Sequence, residues 1–158
     1  MTPVVKNLVI INVLVFLAQS AMPGLDPLLM GHYPFGANFE PWQVITHMFM
    51  HGSLTHIFFN MFALVVFGSA LERTWGSKRF LQDYMLCGIG AFFTYEATVG
   101  YEVLQLTNSI SYEGVAGRVV GASGCVYGLL LGFGMLFPNT ELILLFPPIP
   151  VKAKYFVI

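Results

Sequence analysis

Four apolar stretches, each about as long as a membrane is thick, divide this chain, and its charged residues gather between them. The stretches run from Val4 to Met22, from His51 to Leu71, from Phe80 to about Thr98, and from Val119 to Phe137. Crossing a hydrocarbon core of about 30 Å takes roughly 20 helical residues. With no water there to satisfy the backbone, such stretches are read as helices. Composition agrees. The chain is 56% hydrophobic and 9% charged, with mean hydropathy +0.73, whereas soluble domains carry about 25% charged residues. The expected fold class is all-α, a polytopic transmembrane helix bundle of four complete spans, with Tyr155-Phe156-Val157-Ile158 as the start of a fifth.

The punctuation between the spans is legible. Pro23-Gly24 ends the first span, and Asn12 within it is expected to face another helix, since lipid would leave its amide unsatisfied. Lys6 and the small residues near Ala21 fit a cleaved leader less well than a retained span, because further spans follow. Residues 23–50 carry Pro23, Pro27, Pro34 and Pro41 among many apolar side chains. They are expected to lie in the interface, with His32, Tyr33 and Trp42 at headgroup depth. Glu72-Arg73 closes the second span, and residues 74–79 read as a polar turn. The third span has Asp83 near its start and Glu96 near its end, both expected near an interface, and continues as an exposed helix through Leu106. Residues 107–118 read as a loop, Pro138-Asn139 stops the fourth span, and Pro147, Pro148 and Pro150 lead to Lys152 and Lys154.

Alternating the spans places Lys6, Arg73, Lys78, Arg79, Lys152 and Lys154 on one side and Arg118 on the other. Six of seven basic residues on one side make it cytoplasmic. The N-terminus is then inside, and the Pro-rich connector and the loop before Ser123 are outside. A net charge of -1 says nothing about partners, and no basic patch suggests nucleic acid as one. Cys87 and Cys125 sit in apolar runs without C-x-x-C spacing and read as packing residues. His47, His51 and His56 lack the H-E-x-x-H pattern, so neither a metal nor another cofactor is implied.

The chemistry concentrates at one depth. Ser123 lies 15 residues before Pro138, about 22 Å above the cytoplasmic end of its helix, and His56 lies 16 residues before Glu72, about 24 Å up. Asn60 follows His56 on the same helix face, as Tyr127 follows Ser123. A serine among glycines can also be packing material, and Gly124, Gly128 and Gly132 form a small-xxx-small stripe.

The run Gly121-Ala122-Ser123-Gly124-Cys125-Val126-Tyr127 resembles the nucleophile motif of rhomboid intramembrane serine proteases. The spacing of His47, His51, His56 and Asn60 is similar to the same family's H-x-x-x-H-x-x-x-x-H-x-x-x-N signature. Glu72-Arg73 with Trp75-Gly76-Ser77 looks like its turn after that span, and the prolines before Lys152-Ala153-Lys154 look like its cytoplasmic loop. The resemblance implies that residues 1–158 are one rhomboid-like membrane domain and residues 23–50 its membrane-embedded first loop. By the same resemblance Ser123 would be the nucleophile, and His56 and Asn60, with the Ser123 N–H, the oxyanion hole. Tyr127 would stack on the catalytic histidine, while Gly121, Gly124, His51 and His47 support the site. Substrates would be transmembrane segments of proteins in the bilayer of a bacterial plasma membrane, cut near its outer face. The physics fits: a serine in a first helical turn presents free N–H groups to an oxyanion. Glycines at -2 and +1 would also let a substrate backbone approach closely.

Two departures stand out. Many rhomboids have Trp-Arg in the first loop, whereas Gln43 follows Trp42 here. The family's base is a histidine on a sixth span, and no histidine follows His56. The expectation is an N-terminal part of a protease, truncated before that span. The alternatives are a catalytically inactive rhomboid-like module that binds transmembrane helices, or His56 itself acting as base. A small transporter or channel would need a polar path across the bilayer, but Ala63–Phe67 and Leu129–Leu131 are apolar.

Overall fold

The computed structural model describes residues 1–108, 118–143 and 149–156. Helix α1 (Pro3–Ala21) opens with a proline in its first turn, where a missing N–H costs nothing, and stops before Pro23. It is apolar all round and buries only Val5, Leu8 and Asn12 against the protein. Helix α2 (Leu54–Trp75) is also long and apolar enough to cross a membrane. Ser53 caps it by accepting a hydrogen bond from the His56 N–H at 3.1 Å, so the helix starts three residues later than the apolar pattern suggests. Its middle turn, Leu64–Gly68, is π-helical, and the atoms of Leu64, Phe80 and Val5 close around Gly68.

The polar turn expected over residues 74–79 shrinks to one residue. Gly76, at φ +78°, reverses the chain directly into α3 (Ser77–Thr107), a continuous helix of 31 residues. Only glycine adopts that backbone angle without strain. The apolar stretch from Phe80 and the extension expected beyond it are thus one helix, ended by Asn108 in the left-handed conformation. Of the expected 107–118 loop, residues 109–117 lie outside the described residues, as do Pro147 and Pro148.

The fourth apolar stretch is shorter as a helix than its sequence suggests. Val119 belongs to strand β2 (Arg118–Val119), which pairs antiparallel with β1 (Gly31–His32), and α4 (Ser123–Leu136) begins only at the serine. Gly121, at φ +112°, is the reason: no helix passes through that angle. A hairpin of β3 (Glu141–Ile143) and β4 (Pro150–Lys152) follows, and then α5 (Ala153–Phe156).

The connector is not one continuous amphipathic segment. It folds onto the bundle as short helical turns (Pro23–Leu25, Asp26–Leu29, Gln43–Thr46, His47–Phe49) around β1. His32 and Tyr33 are buried in protein, and of the three expected interfacial side chains only Trp42 is exposed. Backbone pairing with β2 and side-chain bonds within the connector hold it there.

Between α3 and α4 the packing is close because glycine permits it. A side chain at Gly124 would meet Ala91, one at Gly128 would meet Cys87, and one at Gly88 would lie 2.5 Å from the Cys125 sulfur. Gly128→Ala is therefore expected to lower stability by about 1–3 kcal/mol, read as thermal unfolding in detergent. Adding Cys87→Ala, which removes the opposing sulfur, should recover part of that loss. Additive losses would show that the two residues do not meet.

Candidate active site

Ser123 is the first residue of α4, with Ala122 as its N-cap. The first helical backbone bond is donated by Val126 to the Ala122 carbonyl, so the N–H groups of Ser123, Gly124 and Cys125 precede the helical ladder. The strand before it is fixed from two directions. Gly31 pairs with Val119, and the Gly121 N–H donates to the His47 carbonyl at 2.8 Å.

His56 comes from the first turn of α2. Its ring lies on the α-carbon of Gly121: a side chain there would stand 2.6 Å from His56 Cε1, 2.8 Å from Nε2 and 3.7 Å from Ser123 Oγ. Asn60, one turn on, is buried and donates one amide hydrogen to the His56 carbonyl at 3.0 Å, leaving a second. Ser123, His56 and Asn60 line one cavity of about 890 Å³, with Ser53 at the polar side and Phe59 and Tyr127 among its apolar walls. The structure thus brings together Ser123, His56, Asn60 and Tyr127, and Tyr127 is left largely exposed.

The supporting residues divide differently. Gly121 clears room for His56, and Gly124 turns to Ala91 of α3, so both missing side chains serve internal packing. His47 offers its backbone carbonyl to Gly121, while its ring stacks toward Phe92 at 5.1 Å. Its Nδ1 contacts the Gln43 carbonyl at 2.8 Å, so Nδ1 carries the proton. His51 is buried, with its ring edge-on to His56 at 5.0 Å.

Gln43 was not expected to matter, and it is fully buried. Its Oε1 accepts from the Glu40 N–H at 3.1 Å, and its Nε2 donates to the carbonyls of Asn38 (3.3 Å) and Leu28 (3.4 Å). Trp42 Nε1 donates to the same Leu28 carbonyl at 3.0 Å, and Thr46 Oγ1 donates to Leu29 at 2.6 Å. A neutral amide therefore ties down the connector at the position after Trp42. Gln43→Leu removes the donor to the Asn38 carbonyl and one of the two donors to Leu28, and leaves the Glu40 N–H without its acceptor, at about 1–3 kcal/mol. It is expected to expose the connector to limited proteolysis while α1 and α2 stay intact.

A serine at the start of an apolar helix, facing a histidine and an asparagine one turn apart on a membrane-length neighbour, defines a helical membrane protein with a serine-centred site. A rhomboid domain model matches residues 38–158. The chain belongs to the rhomboid family, whose members are integral membrane proteins. It is 38% identical over 106 residues to the rhomboid-type protein YdcA of Bacillus subtilis, covering 65% of this chain and 46% of that protein. It is 32% identical over 117 residues to the rhomboid protease GlpG of Haemophilus influenzae, covering 73% and 56%. Similarity to the rhomboid protease AarA of Providencia stuartii is 32% over 134 residues, covering 78% and 47%. The chain spans about half the length of the curated relatives it matches.

Proposed function

We propose that this chain carries the nucleophile and oxyanion hole of an intramembrane serine endopeptidase. One observation carries the reading: Ser123, at the free N-terminus of α4, shares a single cavity with His56 and Asn60 of α2. Ser123 Oγ attacks the scissile carbonyl as a base takes its proton. The new oxyanion is held by the Ser123 N–H and by the side chains of His56 and Asn60. Collapse expels the amine, which takes up that proton, and water then hydrolyses the acyl-serine. By the family resemblance the base is a histidine on a sixth span.

The clustering of Lys and Arg supports four spans with the N-terminus in the cytoplasm, and the bacterial relatives support a bacterial plasma membrane. The cavity then opens toward the outer half of the membrane, and the substrate is a transmembrane segment cut near its outer end. Residues 23–50 act as the first loop of a single rhomboid membrane domain.

The test is a serine-directed fluorophosphonate probe, applied in membranes to this chain and to a form extended by the downstream coding sequence. The extended form is expected to label at Ser123, and Ser123→Ala to abolish the signal. Asn60→Ala should slow labelling and peptide cleavage by roughly 10²–10³, as for loss of one oxyanion donor. An extended form that labels no better than Ser123→Ala sinks the protease reading.

A further inference from the structure

The first helix reaches the serine site through a chain of contacts that starts at Gln19. Gln19 is on the last turn of α1, and its amide holds the backbone of His51 at two points. Oε1 accepts from the His51 N–H at 3.0 Å, and Nε2 approaches the His51 carbonyl at 3.4 Å. Nε2 also donates to Asp26 Oδ1 at 3.0 Å. A carboxylate only accepts, so Asp26 fixes which end of the amide is the donor and turns Oε1 toward the His51 N–H.

His51, so clamped, directs its ring at His56. The two imidazoles meet edge to face, 5.0 Å between centroids at 65°. The Gly121 α-carbon also stands against His56, close enough that an added methyl would overlap the ring. His56 is thus in contact with both His51 and Gly121, beside Ser123. Both ring nitrogens of His51 are buried without a hydrogen-bond partner among the described residues. What His51 contributes is therefore the shape of its ring.

We infer that Gln19 and His51 are positioning residues that fix the His56 imidazole at the Ser123 site, with Asp26 setting the orientation of the Gln19 amide. The rhomboid match begins at residue 38, so Gln19 and Asp26 lie outside it. The catalytic meaning of this support rests on the protease reading above. The geometry does not, and the test is chosen to separate them.

The chain has four histidines, so histidine-labelled protein in micelles gives an NMR spectrum assignable by single substitutions. The readout is the cross-relaxation between His56 Hε1 and the Gly121 α-protons, which reports their distance and not turnover. In His51→Ala the ring gains a second staggered well, and the signal should fall about twofold or more. Gln19→Leu should do the same while removing no ring, which covers the case where His51→Ala does not fold. His51→Phe keeps a flat ring and should keep the signal. An undiminished signal in both His51→Ala and Gln19→Leu overturns the inference, as does a loss in His51→Phe equal to that in His51→Ala. If the extended form labels at Ser123, the rates should rank the variants in the same order. If it never labels, the protease reading falls and the distance result still decides this one.

Discussion

Gly121→Ala is expected to cost the extended protein its reactivity at Ser123, with little change in helix content. Two effects combine. At φ +112° an alanine is strained, by about 1–3 kcal/mol for a residue held in a sparsely populated region. Its methyl would also stand 2.6 Å from His56 Cε1 and 2.8 Å from Nε2, closer than real contacts allow, so the imidazole must swing away. The neighbour that must move is the proposed oxyanion donor itself. A displacement of about 1 Å in such a site lowers rates by about 10²-fold, and losing the donor adds up to 10³ more. The measurement is the fluorophosphonate labelling rate beside far-ultraviolet circular dichroism. Labelling at the unsubstituted rate would show that His56 is not needed where the structure puts it.

Glu72→Ala is expected to be the most destabilising single change. The Glu72 carboxylate is buried and accepts the N–H groups of Val4 (Oε1, 3.1 Å) and Val5 (Oε2, 3.0 Å) at the start of α1. It also accepts from Ser77 Oγ at 2.6 Å, in the first turn of α3. One side chain near the end of α2 thus caps α1 and pins the first turn of α3, and its negative charge suits a helix N-terminus. A hydrogen bond to a charged group contributes about 1.5–3 kcal/mol, so losing all three costs at least about 4.5 kcal/mol. Thermal unfolding in detergent should shift down by about 10 °C, at about 2–4 °C per kcal/mol. Glu72→Gln keeps one acceptor oxygen and should fall between. If Glu72→Ala and Glu72→Gln unfold together near the parent temperature, the carboxylate does not hold the three helices.

The sequence made part of this site visible before any coordinates. Ser123, His56 and Asn60 were recognisable because two motifs keep fixed spacings, and because counting along two helices put them at one depth. Asn12 was correctly expected to face protein, since an amide in an apolar span has few other places to go. Gln43 was invisible as an anchor, because its partners are backbone carbonyls at Leu28 and Asn38, and carbonyls leave no mark in a sequence. Gln19 was equally silent: its partner His51 is 32 residues away and is held by its backbone. Apolar periodicity also misplaced the start of α4, because Val119 and Val120 read as helix while Gly121 breaks it and β1 claims Val119.

By itself the sequence determined the solvent, the helical class, the candidate serine and the two α2 side chains proposed to serve it. Those follow from hydropathy, helix pitch and spacing, which are local properties of the chain. Only the tertiary structure decided where α4 begins, that the connector folds back to support the strand before Ser123, and that Glu72 reaches the start of α1. These depend on backbone angles and on hydrogen bonds between residues far apart in the chain, and a linear pattern of side-chain types encodes neither.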